Sequence, residues 1–255
     1  MSRRHTIALG VGLMLLTVSW NRAPGPGEGL LRPRIILWAW ERPEDLRRID
    51  PQTVGVAYLA ATLLLRQETV AVRPRLQPLY VPPATALMPV VRLEVDTASP
   101  PTFQVSQRAR IVADLVAIRQ AARSPALQID FDARVSARAF YRALLHDLRR
   151  ALPDTIRLSI TALASWCLGD PWLTDVPIDE AVPMLFRLGV DRQHVRGHLQ
   201  AGGALRCLTP QQSLGIATDE PLPRVPSGQR LYIFSPHAWS PETLRTAMEE
   251  AQRWP

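Results

Sequence analysis

Eight short apolar runs, spaced along the chain and bounded by turn residues, constrain the fold more than any other feature. They are Arg34–Trp40 (RIILWAW), Val54–Ala60 (VGVAYLA), Val90–Val95 (VVRLEV), Leu127–Phe131 (LQIDF), Ile156–Ala162 (IRLSITA), Ala181–Phe186 (AVPMLF), Ser213–Thr218 (SLGIAT) and Leu231–Phe234 (LYIF). A run of four to seven residues that is apolar on both faces fits a strand of a parallel sheet covered on each side. Helical spacing fills several of the intervals: Ile111, Leu115 and Ile118 in Gln104–Arg123, and Phe140, Leu144, Leu145 and Leu148 in Ser136–Ala151. Ser240–Arg253 opens on Ser-Pro-Glu, an N-cap and first turn. The interval "ERPEDLRRIDPQ" reads as a short helix ended by a turn. After the second run, Thr62–Tyr80 alternates apolar and polar residues, and Pro74 and Pro78 forbid a regular helix, so this stretch is expected as a β-hairpin insertion after strand 2. Eight strands with mostly helical crossovers predict an α/β fold, a single (β/α)8 TIM-like barrel over residues 33–255, close to the usual barrel length. An open doubly wound sheet is the competing arrangement, but its glycine-rich turn is missing where the first strand ends in "WAWERP".

Residues 1–23 precede that domain. "MSRRH" is a positive head and "TIALGVGLMLLTVSW" an apolar stretch of signal-sequence size, shorter than the roughly twenty residues of a membrane span. They read as a signal peptide or a signal anchor, and residues 24–32, rich in Pro and Gly, as a linker. The expectation is an exported protein, periplasmic or anchored at the inner membrane through its N-terminus. Cys167 and Cys207 are the only cysteines. In an oxidising compartment they either pair or stay as two buried thiols. The net charge of +7 comes from arginine alone, with no lysine, and the arginines lie scattered among acids without a basic stripe, which argues against nucleic-acid binding.

In a barrel the functional groups gather at the carboxyl ends of the strands. The sequence puts Trp38 and Trp40 there on strand one, Glu94 on strand three, Asp130 and Asp132 on strand four, Trp166 after strand five, Asp219 and Glu220 after strand seven and Trp239 after strand eight. Asp130 and Asp132 share a face, since alternate strand residues point the same way. Two inward carboxylates are costly unless they are used or paired. Carboxylates from several strands among tryptophans suit a sugar site. One carboxyl protonates the glycosidic oxygen, a second supports the developing cation, and flat indole faces accept a pyranose. Asp132 is expected as the acid, Glu220 as base or nucleophile and Asp130 as the group orienting Asp132. Mutual repulsion should raise one aspartate of the pair. Glu94, Asp219 and the four tryptophans Trp38, Trp40, Trp166 and Trp239 are expected to bind substrate. His194 and His198, at i and i+4, have no third ligand near them in sequence and read as a solvated helix face, so no metal and no cofactor is expected.

The stretch from Leu127 to Trp166 resembles the fourth strand, following helix and fifth strand of chitinase-like glycosidases, whose motif is D-x-x-D-x-D-x-E. By that resemblance Asp130 falls on the last aspartate and Asp132 on the proton-donating glutamate, while Gln128 and Pro125 stand where the earlier aspartates would be. The Met-x-Tyr-Asp that follows strand six in those enzymes corresponds to Met184-Leu185-Phe186-Arg187, and Trp239 to their tryptophan after strand eight. With "ILWAWERPEDLR", "LQIDFDA", "VPMLFRLG" and "GIATDEP", the chain also resembles a bacterial family of exported proteins of unknown function. Together the resemblances imply a barrel that hydrolyses or binds cell-envelope carbohydrate. The alternative is a non-catalytic barrel for carbohydrate binding or envelope assembly.

Overall fold

A computed structural model describes residues 33–169, 171–173, 175–207, 211–221 and 229–252. The leader, the linker, Trp20 and Trp254 lie outside the described residues. In chain order the strands are β1 (Ile35–Ala39), β2 (Glu44–Asp45), β3 (Val54–Arg66), β4 (Thr69–Pro74), β5 (Leu79–Tyr80), β6 (Leu87–Val95), β7 (Ala126–Asp130), β8 (Arg157–Leu163), β9 (Glu180–Met184), β10 (Gln211–Ala217) and β11 (Arg230–Phe234). The described helices are α1 (Val105–Ala122), α2 (Arg138–Ala151), α3 (Arg192–Gln200) and α4 (Pro241–Gln252).

All eight apolar runs are strands of one parallel sheet in the order β1-β11-β10-β9-β8-β7-β6-β3, and β1 also pairs with β3, which closes it into a barrel. The fold is the expected (β/α)8 barrel. Outside it, α1 and α2 cover β6, β7 and β8. Leu144, Leu145 and Leu148 of α2 pack with Leu127, Ile129 and Phe131 in one continuous core. Each of those fully buried leucines contributes on the order of 2 kcal/mol. A second core, with Leu37, Val56, Leu231 and Ile233 on the strands and Val195 and Leu244 on α3 and α4, covers the opposite side. Ser240 caps α4: its Oγ accepts from the Thr243 N–H at 3.1 Å, and its own N–H donates to Thr243 Oγ1 at 2.8 Å.

Two connections depart from the repeating pattern. The hairpin expected after the second barrel strand is an outgrowth of that strand. β3 runs on to Arg66, still parallel to β6 (Leu65 beside Val95), while β4 folds back antiparallel along it (Leu65 beside Val70). Gln67 makes the tight turn at φ 41°. The interval read as a short helix between β1 and β3 is not helical. Its Glu44 and Asp45 form β2 and pair with β5. Arg75, which the sequence places far from it, donates to the carbonyls of Trp40 and Arg42 and fixes the segment extended.

The barrel interior holds a chain of polar contacts among apolar side chains. Trp38 Nε1 donates to Gln128 Oε1 at 2.9 Å, and Gln128 Nε2 to Ser159 Oγ at 3.0 Å. β1 and β7 are not neighbours in the sheet, so the first of these bonds crosses the lumen. Toward the amino-terminal end, the fully buried Glu180 accepts from Ser213 Oγ at 2.5 Å and Tyr232 OH at 2.7 Å, and pairs with Arg230 at 3.4 Å. Gly215 leaves room for this filling, because a Cβ there would lie 2.9 Å from the Trp38 ring. These side chains fill the lumen below, and a cavity opens toward the carboxyl ends.

Candidate functional site

At that end a cavity of about 450 Å³ opens, lined by Trp38, Trp40, Asp130, Asp132, Phe186 and Phe234 together with Arg92, Thr161 and Asp191. Strand alternation places its groups: Val90 and Gln128 sit side by side in the lumen, and the next inward pair in register is Arg92 beside Asp130. Phe186 and Phe234 stack at 5.4 Å with ring planes 4° apart, and Trp40 meets Phe234 edge-on. The Arg92 guanidinium lies over the Trp40 ring, 5.8 Å from its centre. The result is an aromatic wall beside a carboxylate pair.

Asp130 is the buried member of the pair, 8% exposed. Thr161 Oγ1 donates to its Oδ1 at 2.7 Å. Burial above all, and then the neighbouring Asp132, push the Asp130 carboxyl up to about 6; the Thr161 hydrogen bond and Arg92 offset part of that rise. Asp132 opens to solvent at the mouth, yet the protein around it is dense enough that desolvation raises its carboxyl too, again against the pull of Arg92. Repulsion was the expected cause, but loss of water is the larger one, and the group driven up to about 6 is Asp130, not Asp132.

The structure brings Trp38, Trp40, Asp130 and Asp132 to one cavity, and it places the other sequence candidates elsewhere. Trp38 is the floor, buried against Tyr232. Glu94 pairs with Arg73 at 2.5 Å and lines a neighbouring cavity. Trp166 turns into the outer core, edge-on to Trp172. Trp239 is buried behind β1, where its Nε1 donates to the Trp38 carbonyl. Asp219 and Glu220 are both taken by Arg187: Nη2 donates to Asp219 Oδ2 and Nη1 to Glu220 Oε1, each at 2.7 Å. The Arg187 N–H also donates to Glu220 Oε1, holding this residue at φ 53° on the cavity rim. Glu220, expected as base or nucleophile across the barrel from Asp132, is thus held in an ion pair with Arg187. Asp191 is the further carboxylate that the lining does contain.

Sequence reasoning passed over Arg92, Thr161, Phe234 and Asp191. The first three are inward positions by alternation from Val90, Ser159 and Tyr232, so the signal was present. Asp191, in the turn before α3, carried none. His198 Nε2 lies 3.0 Å from the Ala204 carbonyl on the exterior, and among the described residues no cluster of potential metal ligands occurs. Cys167 and Cys207 form a disulfide, settling the question the sequence left open. It ties the turn that supplies Ala164 and Ser165 to the cavity wall to the segment after α3.

The structural comparisons bear on the closed parallel barrel alone. Chitinase A from Streptomyces coelicolor shares 8% identity over 88% of this chain and 97% of its own, with a TM-score of 0.52, and so shares the fold. The Bacillus cereus spore cortex-lytic enzyme SleL is 15% identical over 71% of this chain (TM-score 0.48). The chitinase domain of the Clostridium difficile spore coat protein CotE is 13% identical over 58% (TM-score 0.39). The chain spans 50% and 48% of the lengths of these two. In sequence, residues 84–181 match DUF3142, a domain of unknown function. No curated protein matches the chain.

Proposed function

We propose that the protein is an exported, glycoside hydrolase-like barrel that binds cell-envelope carbohydrate in the cavity at β7 and cleaves it by acid catalysis. The carrying observation is the Asp130–Asp132 pair, both carboxyls raised by desolvation, beside the stacked Phe186–Phe234 wall. A sugar ring lies against that wall with its glycosidic oxygen toward the mouth. Asp132, the accessible member, donates the proton. Asp130, held by Thr161, keeps a proton up to about pH 6 and limits the negative charge beside Asp132. Asp191 is the lining carboxylate available to support the developing cation. Export is supported by the N-terminal sequence and by the disulfide, which suits an oxidising compartment. Fractionation of cells expressing the full chain should recover it outside the cytosol, and a reduced, cytosolic protein would contradict export.

A second reading, carbohydrate binding without cleavage, is favoured by one observation. The carboxylate after strand seven, Glu220, is consumed by Arg187. Incubating the full chain with chitotetraose, cellotetraose and peptide-free peptidoglycan tetrasaccharide separates the two. New reducing ends, released more slowly as the pH rises and the donor carboxyl ionises, support hydrolysis. Saturable binding with no cleavage supports the second reading, and absence of both overturns the carbohydrate assignment.

A further inference from the structure

The cavity has an annex. A second space of about 380 Å³ meets the first at Arg92, Asp130 and Asp132, and extends between the ends of β6 and β7 past Arg134 and Ser136. Its chemistry differs from the aromatic chamber. The walls include Pro100, Pro101 and Phe103, but the charged groups decide its character. Glu94 is neutralised by Arg73. Asp130 holds its proton in mildly acidic solution. With Asp132 as the proposed proton donor at the junction, Arg92 and Arg134 are two guanidinium groups on one annex directly beside it.

Resting on the carbohydrate reading above, we propose that this annex is an anion subsite: the protein prefers a glycan that carries a carboxylate or phosphate substituent on the sugar next to the one stacked in the aromatic chamber. Guanidinium groups bind both anions through charge-assisted, bidentate hydrogen bonds. Ser136 adds a hydroxyl to the same wall. The arrangement also links recognition to chemistry. Arg92 now stabilises the ionised forms of Asp130 and Asp132. An anion that engages Arg92 withdraws that support and adds a like charge beside them, so the correct ligand favours the protonated donor at the moment it binds.

The test compares two tetrasaccharides with the same β-1,4 backbone: neutral chitotetraose, and the peptide-free peptidoglycan tetrasaccharide, which carries lactyl carboxylates. Calorimetric titration of the full chain at low salt should show the acidic ligand binding about tenfold tighter. The preference should shrink as salt rises and fall to near unity in Arg134→Ala, whose exposed position leaves the melt unchanged. Inorganic phosphate that competes with the acidic ligand, but not with chitotetraose, would extend the subsite to phosphate. Phosphate without effect would restrict it to carboxylates. Equal affinity for the two tetrasaccharides, or a preference that survives in Arg134→Ala, overturns the anion subsite and leaves the carbohydrate reading standing. Binding of neither removes both.

Discussion

Replacing Cys167 and Cys207 together by serine is expected to lower the stability of the oxidised protein by about 4 kcal/mol, a fall of roughly 8–16 °C in the melting temperature. The disulfide joins positions 40 residues apart, so its loss releases a long loop in the unfolded chain. In the native state it anchors a connection that is thin by barrel standards. Between β8 and β9 the described residues hold only two short 3-10 turns, Ala164–Cys167 and Pro171–Leu173, in place of a helix. A backbone hydrogen bond from the Arg206 N–H to the Cys167 carbonyl at 2.7 Å adds to the disulfide's hold. Calorimetry of wild type with and without reductant, beside the double variant, checks this. A melt that moves by less than about 2 °C would mean that the surrounding core alone holds the segment.

Asp130→Asn is expected to stabilise the protein, and only at neutral and alkaline pH. The folded carboxyl titrates at about 6 against 3.8 for the ordinary group. Between those values the folded state binds more protons than the unfolded one, so stability falls as pH rises through that window, and the whole cost is present above it. The cost is on the order of 3 kcal/mol. Asparagine keeps an oxygen for the Thr161 hydroxyl and carries no charge. At pH 8 the variant should melt roughly 6–12 °C above wild type, and at pH 4 the two should nearly coincide. An equal offset at both pH values would contradict the perturbed titration. A residue that costs stability where a neutral isostere would not is characteristic of a functional site.

The barrel was legible because its strands are buried on both faces, which leaves short apolar runs such as VGVAYLA and IRLSITA between polar breaks. The helix misread between β1 and β3 had the right local composition. What keeps that stretch extended is Arg75, reaching back from the far side of the hairpin, and no local pattern records such a contact. The site was half legible for the same reason. Alternation along β7 gives Asp130, with Asp132 reaching the same cavity from just past the strand end, and the same rule on β6 would have given Arg92. Beyond a strand end alternation stops. Trp166 and Trp239 stand at the expected places in sequence but turn into the core, where Trp239 meets the Trp38 carbonyl. Glu220 is drawn to Arg187, 33 residues away in the chain. Directions taken by loop side chains are set by such distant partners.

The proposed role of Asp132 is the central claim, and it is tested by the initial rate of reducing-end release from the tetrasaccharides above, measured at pH 5.5 for wild type and for Asp132→Asn. The account predicts a loss of about 100-fold or more in the variant, with a melting temperature within a few degrees of wild type because the side chain stands open at the mouth. Retention of most of the activity by a folded Asp132→Asn protein would contradict it.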